Sequence, residues 1–404
     1  MKAKLLLYLV SLGATAMAGT VRVSTIDELD DALDEARAGT VILLAPGEYQ
    51  GPFLLYDRHG TAEQPIVIAA ADPARPPVIR GGRECIHLTR VSHIVVRGLV
   101  LVGASLSGLN IDDGDTVETP SHHIVLEDIT VRDIGPEGNC DGIKLTGVKD
   151  FLVRRCTVER WGSGGSAIDL VGCHRGLFVD CVFRYVEGRG ASGLQMKGGS
   201  VAIVVYRCFF DAAGQRAINL GGNTGSGYFR PRNPGCEAKQ IAAIGNVFVG
   251  SKAPLAFVGS DECSVLFNTI CRPTAWVFRI LQETARPDFC PCRNGVFRGN
   301  LVVWRWRELH TTCSIGRQTA PETFRFEGNW WFCEDRPARS APDLPVPERG
   351  GIVGRDPGLK LDGLATQAAN APEVGAASKH AAEEFAAACP KLAPWAYERA
   401  RAKE

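Results

Sequence analysis

The feature that most constrains this chain is a repeat. A short apolar run, a small or polar residue and a further apolar pair recur along most of its length. The unit is written as Ile94-Val95-Val96-Arg97-Gly98, Ile124-Val125-Leu126-Glu127-Asp128 and Leu152-Val153-Arg154-Arg155-Cys156. It returns as Leu177-Phe178-Val179-Asp180-Cys181 and Ile203-Val204-Val205-Tyr206-Arg207-Cys208. Further segments end in Gly245-Asn246, Phe267-Asn268, Gly299-Asn300 and Gly328-Asn329. The marked position falls at 98, 128, 156, 181, 208, 246, 268, 300 and 329. Intervals of this size, with strand-type segments and no helical pattern between them, predict stacked coils. One coil cannot bury its inner face alone, so each needs a neighbour.

The expected fold is therefore all-β: a right-handed parallel β-helix, one chain wound through about ten coils. Asn at four successive repeats predicts a ladder of amides bonded from coil to coil. Cys156, Cys181 and Cys208 share that position and are expected as buried, unbonded thiols. The alternative is a disulfide between adjacent rungs, with Cys263–Cys271 and Cys290–Cys313 as looser pairs.

A second strand precedes each unit. It reads Gly108 to Asp112, Asp141 to Leu145, Ser166 to Leu170, Ser192 to Met196 and Arg216 to Leu220. Period-2 alternation points Ile143, Ile168, Leu194 and Ile218 inward. Lys144, Asp169, Gln195 and Asn219 then share one outer face. Asp141, Ser166, Ser192 and Arg216 head the same rungs.

The ends differ from the repeat. Thr25-Ile26-Asp27-Glu28 is a capping box, followed by Leu29, Leu33 and Ala36 at helical spacing. Gly39 stops that helix, which is expected as an amphipathic cap over the first coil. Beyond residue 335 the pattern fades, so 19–335 is taken as the β-helix domain and 336–404 as a C-terminal cap and tail. A short helix is expected from Lys379 to Cys389, ended by Pro390. Residues 1–18 have the form of a signal peptide: Lys2 and Lys4, an apolar run, and Ala16-Met17-Ala18 before the cut. The expected product is soluble, secreted or periplasmic, and not in a membrane. Without those residues 43 basic face 45 acidic side chains. A global basic field for nucleic acid is thus absent.

Gly39 to Tyr49, followed by Gly60 to Ile68, resembles the opening of β-helical polysaccharide lyases of the chondroitinase B and alginate lyase type. The likeness in architecture covers roughly residues 25–335. It implies β-elimination on a uronate-containing polysaccharide, by a Lys and an Arg on neighbouring coils, with Ca²⁺ held by acidic residues. On that implication Lys197 and Arg216 are the catalytic candidates. The rest of the family's motif has no match around them.

The substrate-binding candidates are Asp141, Lys144, Asp169, Arg189, Gln195, Asn219, Asn223, Tyr228 and Arg230. They come from the outer face, the turn holding Glu187 and Arg189, and the long loop after Arg216. β-Elimination needs the uronate carboxylate neutralised, a base for the adjacent proton and an acid for the leaving oxygen. Arg216 or Arg230 suits the first task, Lys197 the second, and Tyr228 or Arg230 the third.

Two other readings stand beside this one. Asn139-Cys140-Asp141-Gly142-Ile143 resembles a stretch of β-helical polygalacturonases, and Asp141 with Asp169 offers a carboxylate pair for a glycoside hydrolase. That family's paired-Asp and Gly-His-Gly motifs are missing. A non-catalytic carbohydrate-binding β-helix is the third reading, with Lys144–Asp169 a cross-strand ion pair and Arg216 a loop anchor. In each case the expected partner is an acidic polysaccharide, bound by a monomer. Asp112-Asp113-Gly114-Asp115 with Glu118 is a candidate Ca²⁺ turn, although its spacing matches no known calcium loop and a solvated turn explains it as well. No Cys/His spacing predicts zinc.

Overall fold

Each repeat winds through three strands, one more than the alternation pattern separated. The computed structural model describes residues 19–135, 137–185, 192–309, 311–363 and 366–402. The apolar runs form the first parallel sheet, in which Ser92–Arg97, His122–Glu127, Lys149–Arg154, His174–Val179 and Ser200–Tyr206 lie side by side in chain order. The apolar pair after the marked position is a three-residue strand, as in Thr130–Arg132 and Thr157–Glu159, and these make a second parallel sheet. The alternating strands form a third sheet of ten, which includes Glu84–Thr89, Ser107–Asp112, Asp141–Thr146, Ser166–Val171, Ser192–Lys197 and Arg216–Gly221. Every coil pairs with the next, so the chain is a right-handed parallel β-helix of the expected size.

The inward side chains merge into one continuous core from Val23 to Cys333. Rings stack in it from coil to coil, with Phe183, Phe210 and Phe248 centred 4.8 Å apart. The amide ladder is present. Asn246 Nδ2 donates to Asn268 Oδ1 at 2.9 Å, Asn268 to Asn300 at 3.0 Å, and Asn300 to Asn329 at 2.9 Å. All four are fully buried, where an unpaired amide would be costly. Glu348 accepts from Asn329 at 2.7 Å and ends the chain of bonds.

The residue before each ladder position is left-handed, as at Arg155, Asp180, Arg207 and Gly245. In the first two repeats that residue is Gly98 and then Asp128. The ladder position there belongs to the buried Leu99 and Ile129, one residue later than the pattern suggested. Asp128 instead faces solvent, where Arg155 of the next coil holds it at 2.8 Å. None of the fourteen Cys is bridged, including Cys263, Cys271, Cys290 and Cys313. Cys156, Cys181 and Cys208 are fully buried and donate to backbone carbonyls.

The expected cap helix, α1 (Ile26–Asp34), carries the capping box and buries Leu29 and Leu33 against the first strands. The other end departs from expectation. Residues Leu344 and Val346 pack on the last coils, but α2 (Lys379–Leu392) and α3 (Pro394–Arg401) turn back along the outside of the first sheet. They cover an apolar row of Val95, Val125, Leu152, Leu177, Val204 and Ala242. Helix α2 also runs past Pro390. Proline falls in its last turn, where few helical bonds remain to break, and buried Cys389 and Ala393 hold that turn against the sheet. No helix among the described residues is long and apolar enough to cross a membrane.

Candidate active site

The third sheet presents its polar column as a floor. Register places His87, Asn110, Lys144, Asp169, Gln195 and Asn219 on successive coils. A second column holds Asp112, and further along Thr146, Val171 and Lys197. The turn at Asp115 and the loop Asn223 to Tyr228 rise beside this floor. Together they enclose a cleft of about 710 Å³.

At its centre one carboxylate holds two ammonium groups. Asp169 is bonded by Lys144 on one side and lies 3.3 Å from Lys197 Nζ on the other. Gln195 Nε2 donates to it at 3.2 Å, and Asn219 Nδ2 supports Gln195 at 3.0 Å and Ser192 at 2.9 Å. Burial alone would push the Asp169 carboxyl up. The two lysines and these bonds outweigh it and hold the pKa below the ordinary value. Lys144 is also desolvated, yet Asp169 and Asp141 hold its pKa above the ordinary one.

Asp141 is treated in the opposite way. Its Oδ2 stands 3.7 Å from Lys144 Nζ, and its Oδ1 accepts from the Ser166 amide at 2.8 Å. Burial first, and then the negative charge of Asp169, push its carboxyl up to about 7. The site thus holds two neighbouring carboxyls with divergent proton affinities, the arrangement that separates an acid from a base.

Backbone geometry aims Lys197. The register slips after Gln195, so that Met196 pairs with Gly221. A bulge of this kind re-aims nearby side chains. Gly221 takes φ 109°, and a Cβ there would meet Val258 O at 1.9 Å, so only glycine fits. A Cβ on Gly222 would sit 3.1 Å from the Lys197 side chain, which lies across it. Buried Glu237 fastens the following loop by accepting from Gly198 N, Thr224 N and Thr224 Oγ1 at 2.7–2.9 Å.

The site residues expected from the sequence divide into three groups. Asp141, Lys144, Asp169, Lys197, Asn223 and Tyr228 line the cleft. Gln195 and Asn219 continue its floor as a hydrogen-bonded relay behind Asp169. Arg216 and Arg230 border the cleft without lining it. Arg216 heads its strand, its backbone ~16 Å along the strand from that of Lys197, and its guanidinium reaches back to Asn219 Oδ1 at 3.5 Å. It is paired there with Glu283 at 2.6 Å. Arg230 is buried and bonded to Asp113, which ties the long loop to a coil far back in the chain. Arg189 and Glu187 lie outside the described residues.

The acidic turn does not suit Ca²⁺. Asp112 turns to His87 at 2.6 Å, Asp113 to Arg230, and Asp115 stands fully exposed. Asp113 and Asp115 both face the Arg230 guanidinium, so these oxygens are taken up by protein cations, whereas calcium needs six or more converging on one point. His87 and Asp112 were not singled out as a pair by the sequence. The signal was present, because Glu84-Cys85-Ile86-His87-Leu88 follows the same alternation as the later rungs. The bond to Asp112 outweighs burial and raises the His87 pKa.

The chondroitinase B family profile matches residues 23–108. An alginate lyase from Paenibacillus sp. str. FPU-7 superposes with a TM-score of 0.48 at 19% identity, over 76% of this chain and 98% of that one. A GH136 lacto-N-biosidase from Eubacterium ramulus superposes with a TM-score of 0.54 at 13% identity, over 81% and 64%. No curated protein matches the chain. Identities this low establish the fold alone. The chain is a parallel β-helix that resembles β-helical polysaccharide lyases at its opening.

Proposed function

We propose that this protein is a secreted, monomeric polysaccharide lyase that cleaves a uronate-containing polysaccharide by β-elimination in the cleft of the third sheet. The observation that carries the reading is the pair of amino groups on Asp169 at the cleft floor. In this reading Lys144, kept cationic by its two carboxyl neighbours, meets the uronate carboxylate and acidifies the adjacent carbon. Lys197 is the base that takes the proton from that carbon. Asp141, protonated up to about neutral pH, or the exposed Tyr228 gives a proton to the leaving oxygen. Arg216 and Arg230 serve as anchors, which departs from the roles expected from the sequence.

A second reading rests on the divergent carboxyls. Asp141 as acid and Asp169 as base describe a glycoside hydrolase. Its weakness is that Asp169 is buried and already bonded to two lysines. Incubation with alginate, pectate and glycosaminoglycans separates the two. The lyase gives unsaturated ends that absorb in the ultraviolet, and Lys197→Ala lowers their appearance by about 10³-fold with the fold intact. Reducing ends without that absorbance would favour the hydrolase. Wild-type rates in Lys197→Ala would remove this site.

A further inference from the structure

Three histidines with no part in the cleft gather on the outside of the first sheet. His93 lies in Ser92–Arg97, and His122 and His123 open the neighbouring strand His122–Glu127. Ser92 pairs with His122, placing the three side by side on adjacent coils. His93 and His123 share a left-handed backbone, φ 54° and 57°. The same turn recurs on later coils at Asp150 and Arg175, so the fold supplies it and the histidines occupy it.

The rings converge. Those of His93 and His123 stack 4.4 Å apart, and His122 meets them edge-on at 5.6 and 4.9 Å. His122 Nδ1 is 2.7 Å from His123 Nδ1. One nitrogen from each ring lies within 4.8 Å of the others, and no other set of His, Cys, Asp or Glu among the described residues comes together in this way. All three are half-buried. Trp395 of α3 covers His123 edge-on at 4.9 Å.

We propose that His93, His122 and His123 bind one divalent late transition-metal ion, Zn²⁺ or a close relative, as a clasp between two coils beneath α3. Imidazole nitrogen suits these ions, and three protein ligands leave one position open to solvent. Hard cations such as Ca²⁺ require oxygen and are not expected here. Burial lowers the pKa of each ring, which keeps the imidazoles neutral as a metal requires. Asp150, on the next rung beside His123, adds negative charge while its oxygens stay on Arg175 at 2.7 and 2.5 Å. No short motif announces the set, because His93 is a full coil away from His122 and His123.

The test is calorimetric titration of the full-length protein with Zn²⁺ alone. One ion per chain is expected, with a rise in melting temperature. Co²⁺ in its place is expected to give a visible d–d spectrum without thiolate charge-transfer bands. The double variant His93→Gln/His122→Asn is expected to lose at least about tenfold in affinity and the thermal gain, with unchanged circular dichroism. Should that variant misfold, Zn²⁺ is still expected to protect these histidines of the wild-type protein from diethylpyrocarbonate. Absence of binding, a thiolate band, equal binding of Ca²⁺, or no protection would overturn the site. Polysaccharide cleavage, which belongs to another sheet, neither supports nor weakens it.

Discussion

At Asp141 a buried carboxyl faces a second carboxylate across one ammonium, and the consequence is a proton it releases only near neutral pH. In an unfolded chain the same group ionises at roughly 3.9. The folded state therefore binds this proton more tightly. Its contribution to stability is complete below the unfolded value and is lost as pH rises through about 7. Asn at this position has no proton to release. The stability of Asp141→Asn relative to wild type is thus expected to improve between about pH 5 and about pH 8, by on the order of 2 kcal/mol. Paired thermal melts check it, and an equal difference at both pH values would contradict it. If Asp141 is the proton donor, the same variant also loses the alkaline limb of the pH–rate profile.

Among the elements, the two C-terminal helices do what the sequence did not suggest. Their apolar content is modest, and it matters only because the outer face of the first sheet is apolar as well. Phe385 stacks on Tyr206 with ring centres 3.8 Å apart, and Arg298 pairs with Glu384 at 2.7 Å. Removing residues 379–404 is expected to leave the coils wound while exposing the row from Val95 to Ala242. Increased binding of a hydrophobic dye, aggregation and native-like β-type circular dichroism would be the outcome. A truncated chain that stays monomeric and binds no dye would show that the row does not need its cover. The short strands of the second sheet were legible only as apolar pairs, since three residues are too few to display a period.

For the molecule as a whole, stability rests on a core that runs through every coil and on side-chain ladders along it. Disulfides have no part in it, and the Cys side chains act as small apolar fillers. Burial pushes the Cys173 and Cys389 thiols up to about 12, and Cys85 to about 11, which suppresses their oxidation. Alkylation in denaturant without reductant is expected to label all fourteen, and a shortfall by mass spectrometry would refute this. The amino-acid sequence by itself determined the coil, the amide ladder at Asn246 to Asn329, the capping box of α1 and the outward column through Lys144 and Asp169. Each follows from local periodicity, which neighbouring coils copy. Tertiary structure alone decided that Arg230 is spent on Asp113, that Arg216 belongs to Glu283, and that three histidines meet. Those contacts depend on how far loops reach and on the stagger of coils, and the spacing along one strand carries neither quantity.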